Sequence, residues 1–352
     1  MFKKLFGIFV TFVFLSSAAV IWAAGGYPSV SSDLERLGMR LYNDKKLSFN
    51  GTQSCRNCHH HFSGFVDITN HLDPYTNFVS TGADGVSKGS RNAPSSAYAG
   101  FSPVLNNDSG EYTGGMFWDG RADGLTLGDP LAEQAQGPPL NPGEMGMADK
   151  QAVVDVIATS DYVNLWLKVF GAGSLSDVDA AYDNFGRAVA AYERSSDVTS
   201  FSSKFDTATL SDSEQAGFAL FQENCSSCHT TEAAFGAPHP LFTNYQYANI
   251  GVPANPGIMS VMPDMGLGAI VEDPSQNGKF KIPTLRNIAF SAPYSHNGYF
   301  PTLMEMLQFI NDRSGITPEV DENLSTKVGN LGLSQEELEN IAVFLNALTD
   351  RY

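Results

Sequence analysis

The sequence is short of cysteine and of basic residues: 352 residues contain four cysteines, and 21 Lys and Arg face 38 Asp and Glu. The resulting net charge of −17 argues against nucleic acid as a partner, because phosphates would repel such a surface. An acidic surface instead suits docking of basic partners. Hydrophobic residues make up 42% of the chain, enough for packed cores, and the length predicts about two domains of roughly 150 residues.

Long apolar runs are also absent, except at the N-terminus. There Lys3 and Lys4 precede an apolar run that extends to Trp22, and small residues follow at 23–25. This pattern predicts a signal peptide over residues 1–24 and a periplasmic mature protein. An uncleaved membrane anchor is the alternative, because the run approaches the roughly 18 residues of a spanning helix.

All four cysteines lie in two stretches of one form, CRNCHHHFSG at 55–64 and CSSCHTTEAA at 225–234. Each contains Cys-x-x-Cys-His, the haem c attachment signature, in which two thiols bond to the haem and the histidine binds iron. Disulfides, zinc sites and redox cysteine pairs are alternatives, but none needs a histidine after each pair. The repeat therefore favours two covalent haem c groups. The predicted attachment residues are Cys55, Cys58, His59, Cys225, Cys228 and His229, with the two histidines as proximal iron ligands.

The segment before each motif is repeated as well. ERLGMRLY (35–42) parallels EQAGFALF (214–221) in its acidic, glycine and apolar positions, and Ser or Asp precedes each at an N-cap position. Both predict an amphipathic helix that leads to a haem site. Such repetition predicts two related domains, 25–200 and 208–352, divided in the polar segment 197–210.

Three further helices are predicted from apolar periodicity at 149–160, 177–196 and 334–350. Between them lie long Gly-, Pro- and Asn-rich segments, notably 62–148 and 230–285, and no sustained strand alternation is present. Loops of this length are unusual in ordinary domains, but a haem supplies a centre around which they pack. The predicted fold is mostly α, with two cytochrome c-like domains and long loops.

Six further motifs lie between residues 91 and 303. They are RNAP (91–94), FWDGRA (117–122), EQAQGP (133–138), NPGEMG (141–146), AVAAYERS (188–195) and IPTLRNIAFSAPYSHNGYFPTL (282–303). In these motifs and in their order, the chain resembles the bacterial di-haem cytochrome c peroxidases and the related protein MauG. The resemblance covers most of the mature chain. It implies an oxidoreductase with a peroxidatic N-terminal haem and an electron-transfer C-terminal haem.

The resemblance also implies roles for three side chains. Trp118 would relay electrons between the haems, Glu144 would be the distal carboxylate of the peroxidatic haem, and Gln134 its amide neighbour. Splitting the O–O bond needs a group that takes a proton from one oxygen and returns it to the other. A carboxylate above an open iron can do this if burial raises its pKa. Without the resemblance, Glu144 would be interpreted as a solvated loop acid and Trp118 as core packing.

A calcium ion at the domain interface is a further implication of the resemblance. Its ligands would be Asn92 and the backbone carbonyls of Ser291 and Pro293, and oxygen ligands of this kind suit calcium. Ser291 stands where the family usually has threonine, which matters little if only the carbonyl binds.

The chain departs from the family pattern at the N-terminal haem. Other peroxidases of this family close that haem with a second histidine shortly before the RNAP motif, whereas the matching residue here is Asp84. His71 lies further back and is an alternative ligand, although a lone histidine more often has a surface or hydrogen-bonded role. The N-terminal iron is therefore expected to be open without activation, as the resemblance to MauG implies.

The second departure concerns the sixth ligand of the C-terminal haem. The family has Met or Tyr at the position of Ile310, and isoleucine cannot bind iron. Met306 lies one helical turn earlier on the same face and is a candidate substitute. A five-coordinate haem is the alternative, and the sixth ligand stays open. Met304 and a methionine of the loop 257–266 are weaker candidates, since each of these is more often simple packing.

The leading hypothesis is reduction of hydrogen peroxide to water. A small periplasmic donor, such as a monohaem cytochrome or a cupredoxin, would deliver electrons to the C-terminal haem. The first alternative is a MauG-like oxidase that acts on a protein or organic substrate through a high-valent iron state. The second is a non-enzymatic di-haem electron carrier. Family members often form homodimers, but no sequence feature indicates an interface.

Overall fold

The computed structural model describes residues 32–259 and 262–351. The predicted signal peptide, residues 1–24, lies outside these residues. Within them, none of the helices combines the length and apolarity that a membrane crossing requires.

The described part of the chain is mostly helical, which confirms the predicted fold class. Helices α1 to α13 are Asp33–Asn43, Cys55–Cys58, Ile68–Leu72, Pro130–Ala135, Gly137–Leu140, Lys150–Ala158, Val163–Phe170, Val178–Glu193, Lys204–Thr207, Asp212–Asn224, Leu267–Val271, Leu303–Asn311 and Gln335–Asn346. Short 3-10 helices are Lys45–Leu47, His61–Ser63, Ala99–Phe101, Pro274–Gln276 and Ile288–Phe290. Among the described residues, regular strands are limited to the antiparallel pair β1 (Tyr247–Ala248) and β2 (Phe280–Lys281).

The helices expected from periodicity are confirmed with slightly shorter bounds, as α6, α8 and α13. The two repeat helices are α1 and α10. Ser32, Ser211 and Ser334 cap α1, α10 and α13, each accepting a hydrogen bond from the backbone N–H three residues later. Local capping signals therefore fixed these helix starts.

Helix α7 is absent from the sequence prediction because its start carries no capping signal. It begins after Tyr162, whose side chain makes no capping hydrogen bond. The helix is held by packing: Trp166 is fully buried, and its Nε1 donates to Ser174 Oγ at 2.9 Å. The segments 62–148 and 230–285 also contain α3, α4, α5 and α11, which are too short for periodicity to reveal.

The two halves of the chain use the same helix pairing. Helix α1 packs on α8, and α10 packs on α13. Gly38 and Gly217 lie at the two crossing points, where a Cβ atom would overlap the carbonyl oxygens of Ala188 and Asn340. The repeated glycine therefore permits close approach of two helix backbones in each domain.

The polar segment 197–210, predicted as the domain boundary, is packed against the protein over residues 198–206 and exposed at 207–209. Ser203 is fully buried, and Asp206 accepts hydrogen bonds from the Arg286 guanidinium at 2.5 and 2.9 Å. Arg286 is itself buried and also donates to the Pro240 carbonyl at 2.7 Å. The segment is thereby fixed to the C-terminal half, and the domain bounds stay a prediction.

Candidate functional site

The N-terminal attachment motif forms α2 and ends at His59. The His59 Nδ1 atom lies 3.2 Å from the Phe65 carbonyl oxygen. Burial lowers the pKa of His59, opposed by the carbonyls of Phe65 and Pro94. A neutral ring that donates Nδ1–H to a carbonyl presents Nε2 as an acceptor, as an iron ligand requires.

The C-terminal motif has the same arrangement. His229 Nδ1 lies 2.8 Å from the Phe242 carbonyl oxygen, and burial lowers the pKa of His229 to about 4. The ring is therefore neutral at pH 7. None of the four cysteines is paired in a disulfide. Both motifs thus present two thiols and a neutral imidazole, the donor set that covalent haem c needs.

A mostly apolar cavity of about 270 Å³ lies beside Cys225, Cys228 and His229. Side chains from α10, α12 and α13 form its apolar wall: Phe221, Leu303, Met306, Leu307, Ile310, Ile341 and Leu345. Trp118 lines the same cavity. Two thiols and an imidazole on one wall of an apolar cavity fit a haem c bound through these three residues.

At the N-terminal motif, a buried polar atom indicates where a non-protein group fits. Gln53 Nε2 donates to Cys58 Sγ at 3.6 Å. Its Oε1 atom is buried and has no hydrogen-bond partner among the described residues. Buried acceptors are rarely left unpaired, so an additional group beside Cys58 is consistent with this geometry.

Glu144 lies close to the N-terminal attachment cysteines. It is half-buried, and Asn141 Nδ2 donates to its Oε1 at 2.7 Å. Burial raises the pKa of Glu144, while the Asn141 hydrogen bond and the charge of Arg121 oppose the rise. The Glu144 charge in turn contributes to the raised pKa of the Cys55 and Cys58 thiols. A carboxyl group whose pKa is raised by burial therefore lies near these cysteines.

The polar residues of the EQAQ motif divide into two groups. The Glu133 carboxylate accepts backbone hydrogen bonds from the loop 124–127, and Gln136 Nε2 donates to Asp183 Oδ1 at 2.9 Å. Gln134 is half-buried on α4, and its side chain makes no hydrogen bond to the described residues. Structural hydrogen bonds thus occupy its neighbours, whereas the Gln134 amide is available to a ligand. Its placement beside Glu144 stays a prediction.

Trp118 is fixed between the two halves of the chain. Its Nε1 donates to the Asn92 carbonyl at 2.8 Å, and its own carbonyl accepts from Lys281 N at 2.8 Å. The ring lines the cavity of His229. Two residues beyond Asn92, the Pro94 carbonyl faces His59. Trp118 therefore contacts the C-terminal cavity and is hydrogen-bonded to a segment that reaches the N-terminal ligand.

An ionic cluster that sequence analysis left unassigned holds this segment in place. Arg91 forms ion pairs with Asp119 at 2.5 Å and with Asp264 at 2.7 Å, and Arg121 adds a second pair to Asp119 at 2.9 Å. Three of these four residues, Arg91, Asp119 and Arg121, lie within the quoted RNAP and FWDGRA motifs. Their partner Asp264 is 173 residues from Arg91, a pairing that no local pattern could reveal.

The three residues expected to bind calcium line one extensive cavity. Asn92, Ser291 and Pro293 all line the cavity that contains Trp118. Asn92 is buried, and its Nδ2 donates to the Phe78 carbonyl at 3.1 Å. Residues 32–259 and 262–351 contain no cluster of three or more His, Cys, Asp or Glu side chains suited to a metal. A cation here would depend on amide and carbonyl oxygens, and calcium stays a prediction.

Asp84, at the family's distal-histidine position, is used in a turn. It is exposed, and its carboxylate accepts hydrogen bonds from Val86 N and from the backbone and hydroxyl of Ser87. The preceding residue, Ala83, donates its N–H to the Glu144 carbonyl at 2.7 Å. The loop is therefore fixed beside Glu144 with its acidic side chain in solvent.

His71 packs at the domain interface. Its ring lies 5.8 Å from that of Phe290, and burial lowers its pKa. The Nδ1 atom is buried without a partner among the described residues. These contacts show interface packing, and ligation of iron by His71 stays an untested alternative.

The structure separates the candidates for the sixth ligand of the C-terminal haem. Met306 and Ile310, both on α12, line the cavity with His229. The Met304 sulfur instead accepts a hydrogen bond from Gln335 at 3.8 Å. In the loop 257–266, Met259 and Met262 are exposed, whereas Met265 is half-buried. Met306 stays the preferred prediction.

Two protein families match the chain. The model of the di-haem cytochrome c peroxidases matches residues 32–215, and that of cytochrome c matches residues 214–349. The methylamine utilization protein MauG of Paracoccus denitrificans is 37% identical, over 90% of this chain and 89% of its own. The cytochrome c551 peroxidase of Nitrosomonas europaea is 27% identical, over 91% of this chain and 80% of its own.

A solved structure agrees with these matches. The diheme peroxidase BthA from Burkholderia thailandensis superimposes with a TM-score of 0.78 at 27% identity, covering 93% of this chain and 88% of its own. With the paired attachment motifs, this similarity supports two haem c groups. The chain belongs to the family of di-haem cytochrome c peroxidases and MauG, and it is an oxidoreductase built from two cytochrome c-type domains.

Proposed function

We propose that the protein reduces hydrogen peroxide to water at its N-terminal haem site. The supporting observation is Glu144, a half-buried carboxyl beside the attachment cysteines whose pKa is raised by burial. The neighbouring loop carries the exposed Asp84 where the resemblance to the peroxidases of this family would place a histidine. An N-terminal iron without that ligand would meet peroxide directly.

Three side chains of this protein would take part in the reaction. Bound haem supplies the redox chemistry of the O–O bond, and the protein supplies protons and position. Glu144 would take a proton from one peroxide oxygen and return it to the other. Gln134 orients the peroxide through its unused amide. Trp118, fixed by its hydrogen bond to Asn92, relays electrons from the C-terminal site.

The electron donor would be a small periplasmic redox protein with a basic face, such as a monohaem cytochrome or a cupredoxin. The net charge of −17 supports such a partner, because opposite charges accelerate encounter at low salt. A calcium ion held by Asn92 and the carbonyls of Ser291 and Pro293 belongs to the same proposal. Metal analysis of the purified holoprotein tests it: one calcium per chain supports the site, and none argues against it.

A MauG-like oxidase is the second candidate. It is supported by the 37% identity to MauG and by the missing distal histidine. Ile310, where the family has Met or Tyr, argues against a close functional copy. Rapid peroxide turnover with a reduced cytochrome would favour the peroxidase. Slow turnover with long-lived oxidised haems and a chemically modified partner would favour the oxidase.

The decisive experiment replaces Glu144 by Gln, which keeps the shape and removes the exchangeable proton. In the holoprotein with a reduced monohaem cytochrome as donor, we expect kcat/KM for peroxide to fall about 10²–10⁴-fold. Glu223→Gln, an exposed change on α10, is the matched control and should be neutral. Equal peroxide kinetics in wild type and Glu144→Gln would contradict the proposed role.

The state of the N-terminal iron is tested separately. Electron paramagnetic resonance of the diferric protein should show a high-spin signal that one equivalent of peroxide removes. Two low-spin haems indifferent to peroxide would support the electron carrier, or a peroxidase that needs reductive activation.

A further inference from the structure

A buried tyrosine–carboxylate pair joins the two domains. Tyr98 is fully buried, and its hydroxyl donates to Asp350 Oδ2 at 2.5 Å. The two residues are 252 positions apart in the chain. A hydrogen bond from a phenol to a carboxylate is short and strong because the acceptor is charged.

Asp350 is arranged as a proton acceptor. It is 6% exposed, and it also accepts hydrogen bonds from Ser202 N at 2.8 Å and Asn287 Nδ2 at 3.1 Å, both uncharged donors. The nearest guanidinium to the phenol ring, that of Arg286, lies 5.5 Å from its centroid and is paired with Asp206.

Tyr98 is also one of the residues that line the cavity containing Trp118 and His229. Tyr245 lines the same cavity, but its hydroxyl donates to the Tyr98 carbonyl oxygen at 3.2 Å. A carbonyl oxygen cannot hold a proton at ordinary pH, whereas a carboxylate can. The two tyrosines share the cavity, and Tyr98 has the basic acceptor.

The backbone at Tyr98 is held in an unusual conformation. Its φ of 63° places it in the left-handed region, which residues with a side chain seldom adopt. Strain of this kind persists only where surrounding contacts impose it, and it is frequent at functional sites. Here it accompanies a ring directed at Asp350.

We infer that Tyr98 is a redox-active residue that gives up one electron to the haem pair after peroxide has oxidised it, while its proton passes to Asp350. The phenol O–H bond breaks, the Asp350 carboxylate becomes a carboxylic acid, and a neutral phenoxyl radical remains. The haem pair gains one electron. The proton leaves with the electron because an oxidised phenol is a strong acid, and Asp350 is the carboxylate that accepts its hydrogen bond. Reduction by the donor reverses both transfers.

This inference rests on the proposed peroxide reaction and adds a site to it. When no electron donor is bound, the oxidising equivalent would move from the haem pair to Tyr98 instead of oxidising residues around the haems. Trp118 would serve transfer between the haems, and Tyr98 would store the equivalent.

The test mixes holoprotein containing ring-deuterated tyrosine with one equivalent of peroxide, without donor, and freezes it for electron paramagnetic resonance. We expect a protein radical whose signal narrows relative to the unlabelled protein, which identifies tyrosine. Y98F should lose this signal. Y245F, the matched control in the same cavity, should keep it. D350N keeps the shape of the acceptor without its basicity and should also lose the signal.

Each outcome is decisive. A tyrosyl signal that persists in Y98F, or its absence from wild type whose haem spectrum responds to peroxide, overturns the inference alone. A wild-type haem spectrum that ignores peroxide overturns the proposed function and this inference together. Visible spectra and circular dichroism of each variant distinguish loss of the radical from loss of the fold. If Y98F is destabilised, the radical signal of D350N tests the inference instead.

Discussion

Replacing Arg91 by Met should destabilise the domain interface by about 3–5 kcal/mol at pH 7, the cost of breaking a buried ion pair by removing one partner. Arg91 is 16% exposed, and its partners Asp119 and Asp264 are 5% and 24% exposed. After the substitution, Asp264 keeps no ion pair within residues 32–259 and 262–351, and Asp119 keeps its pair with Arg121. Because Arg91 precedes Asn92, whose carbonyl holds Trp118, slower electron transfer between the haems is also expected.

The loss of stability caused by Arg91→Met should depend on pH in a direction that follows from the pKa of Asp264. Burial alone would raise the pKa of Asp264, but the hydrogen bonds and charge of Arg91 outweigh it and hold the pKa below the ordinary value. A carboxyl with a lowered pKa in the folded state stabilises the protein above its unfolded pKa of about 4. That contribution is lost as the pH falls through the folded value. The difference between wild type and Arg91→Met should therefore be largest near neutral pH and shrink in acid.

Urea unfolding of the holoproteins, followed by circular dichroism, measures the effect. Arg121→Met is the matched control: it removes a second pair to Asp119, but its guanidinium is 43% exposed, so the loss should stay below about 1 kcal/mol. An Arg91→Met protein as stable as wild type at pH 7 would refute the reasoning. An equal loss in both variants would also refute it, since burial would then not set the cost.

Two further predictions follow from close contacts. Gly38→Ala and Gly217→Ala should each lower the free energy of unfolding by at least about 1–3 kcal/mol, because a Cβ would overlap a helix backbone. Gly89→Ala, where a Cβ meets ordinary contacts, is the control and should change the unfolding midpoint little. Equal effects of all three substitutions would contradict the packing argument. Met306→Ala should change the visible spectrum of the C-terminal haem, whereas Met304→Ala should not; an unchanged Met306→Ala spectrum would exclude this sulfur as the ligand.

Sequence reasoning succeeded where the signal is local. The capping serines and apolar periodicity located α1, α6, α8, α10 and α13, because helix starts and amphipathic faces depend on residues three or four positions apart. It failed at α7, whose burial of Trp166 depends on distant packing. The repeated glycine was visible in the sequence, but its reason, a helix crossing, was not.

For the candidate site, too, the sequence and the structure supply different information. Glu144, Gln134 and Trp118 could be named only through family motifs, since a single carboxylate or indole has no distinctive spacing. The structure adds the burial that raises the pKa of Glu144 and the hydrogen bond that fixes Trp118. The turn that places Asp84 in solvent likewise became clear only from its hydrogen bonds.

By itself the sequence determined the two attachment motifs, because covalent haem bonding and the proximal ligand fall within five consecutive residues in each copy. Only the tertiary structure decided which side chains meet between the two motifs. Arg91 and Asp264 are 173 residues apart, and Tyr98 and Asp350 are 252 apart. Such pairs form because folding brings distant segments into one low-dielectric interface, where a buried charge or phenol needs a hydrogen-bonding partner. This requirement produces no periodic pattern along the chain, so the sequence alone does not reveal the pairs.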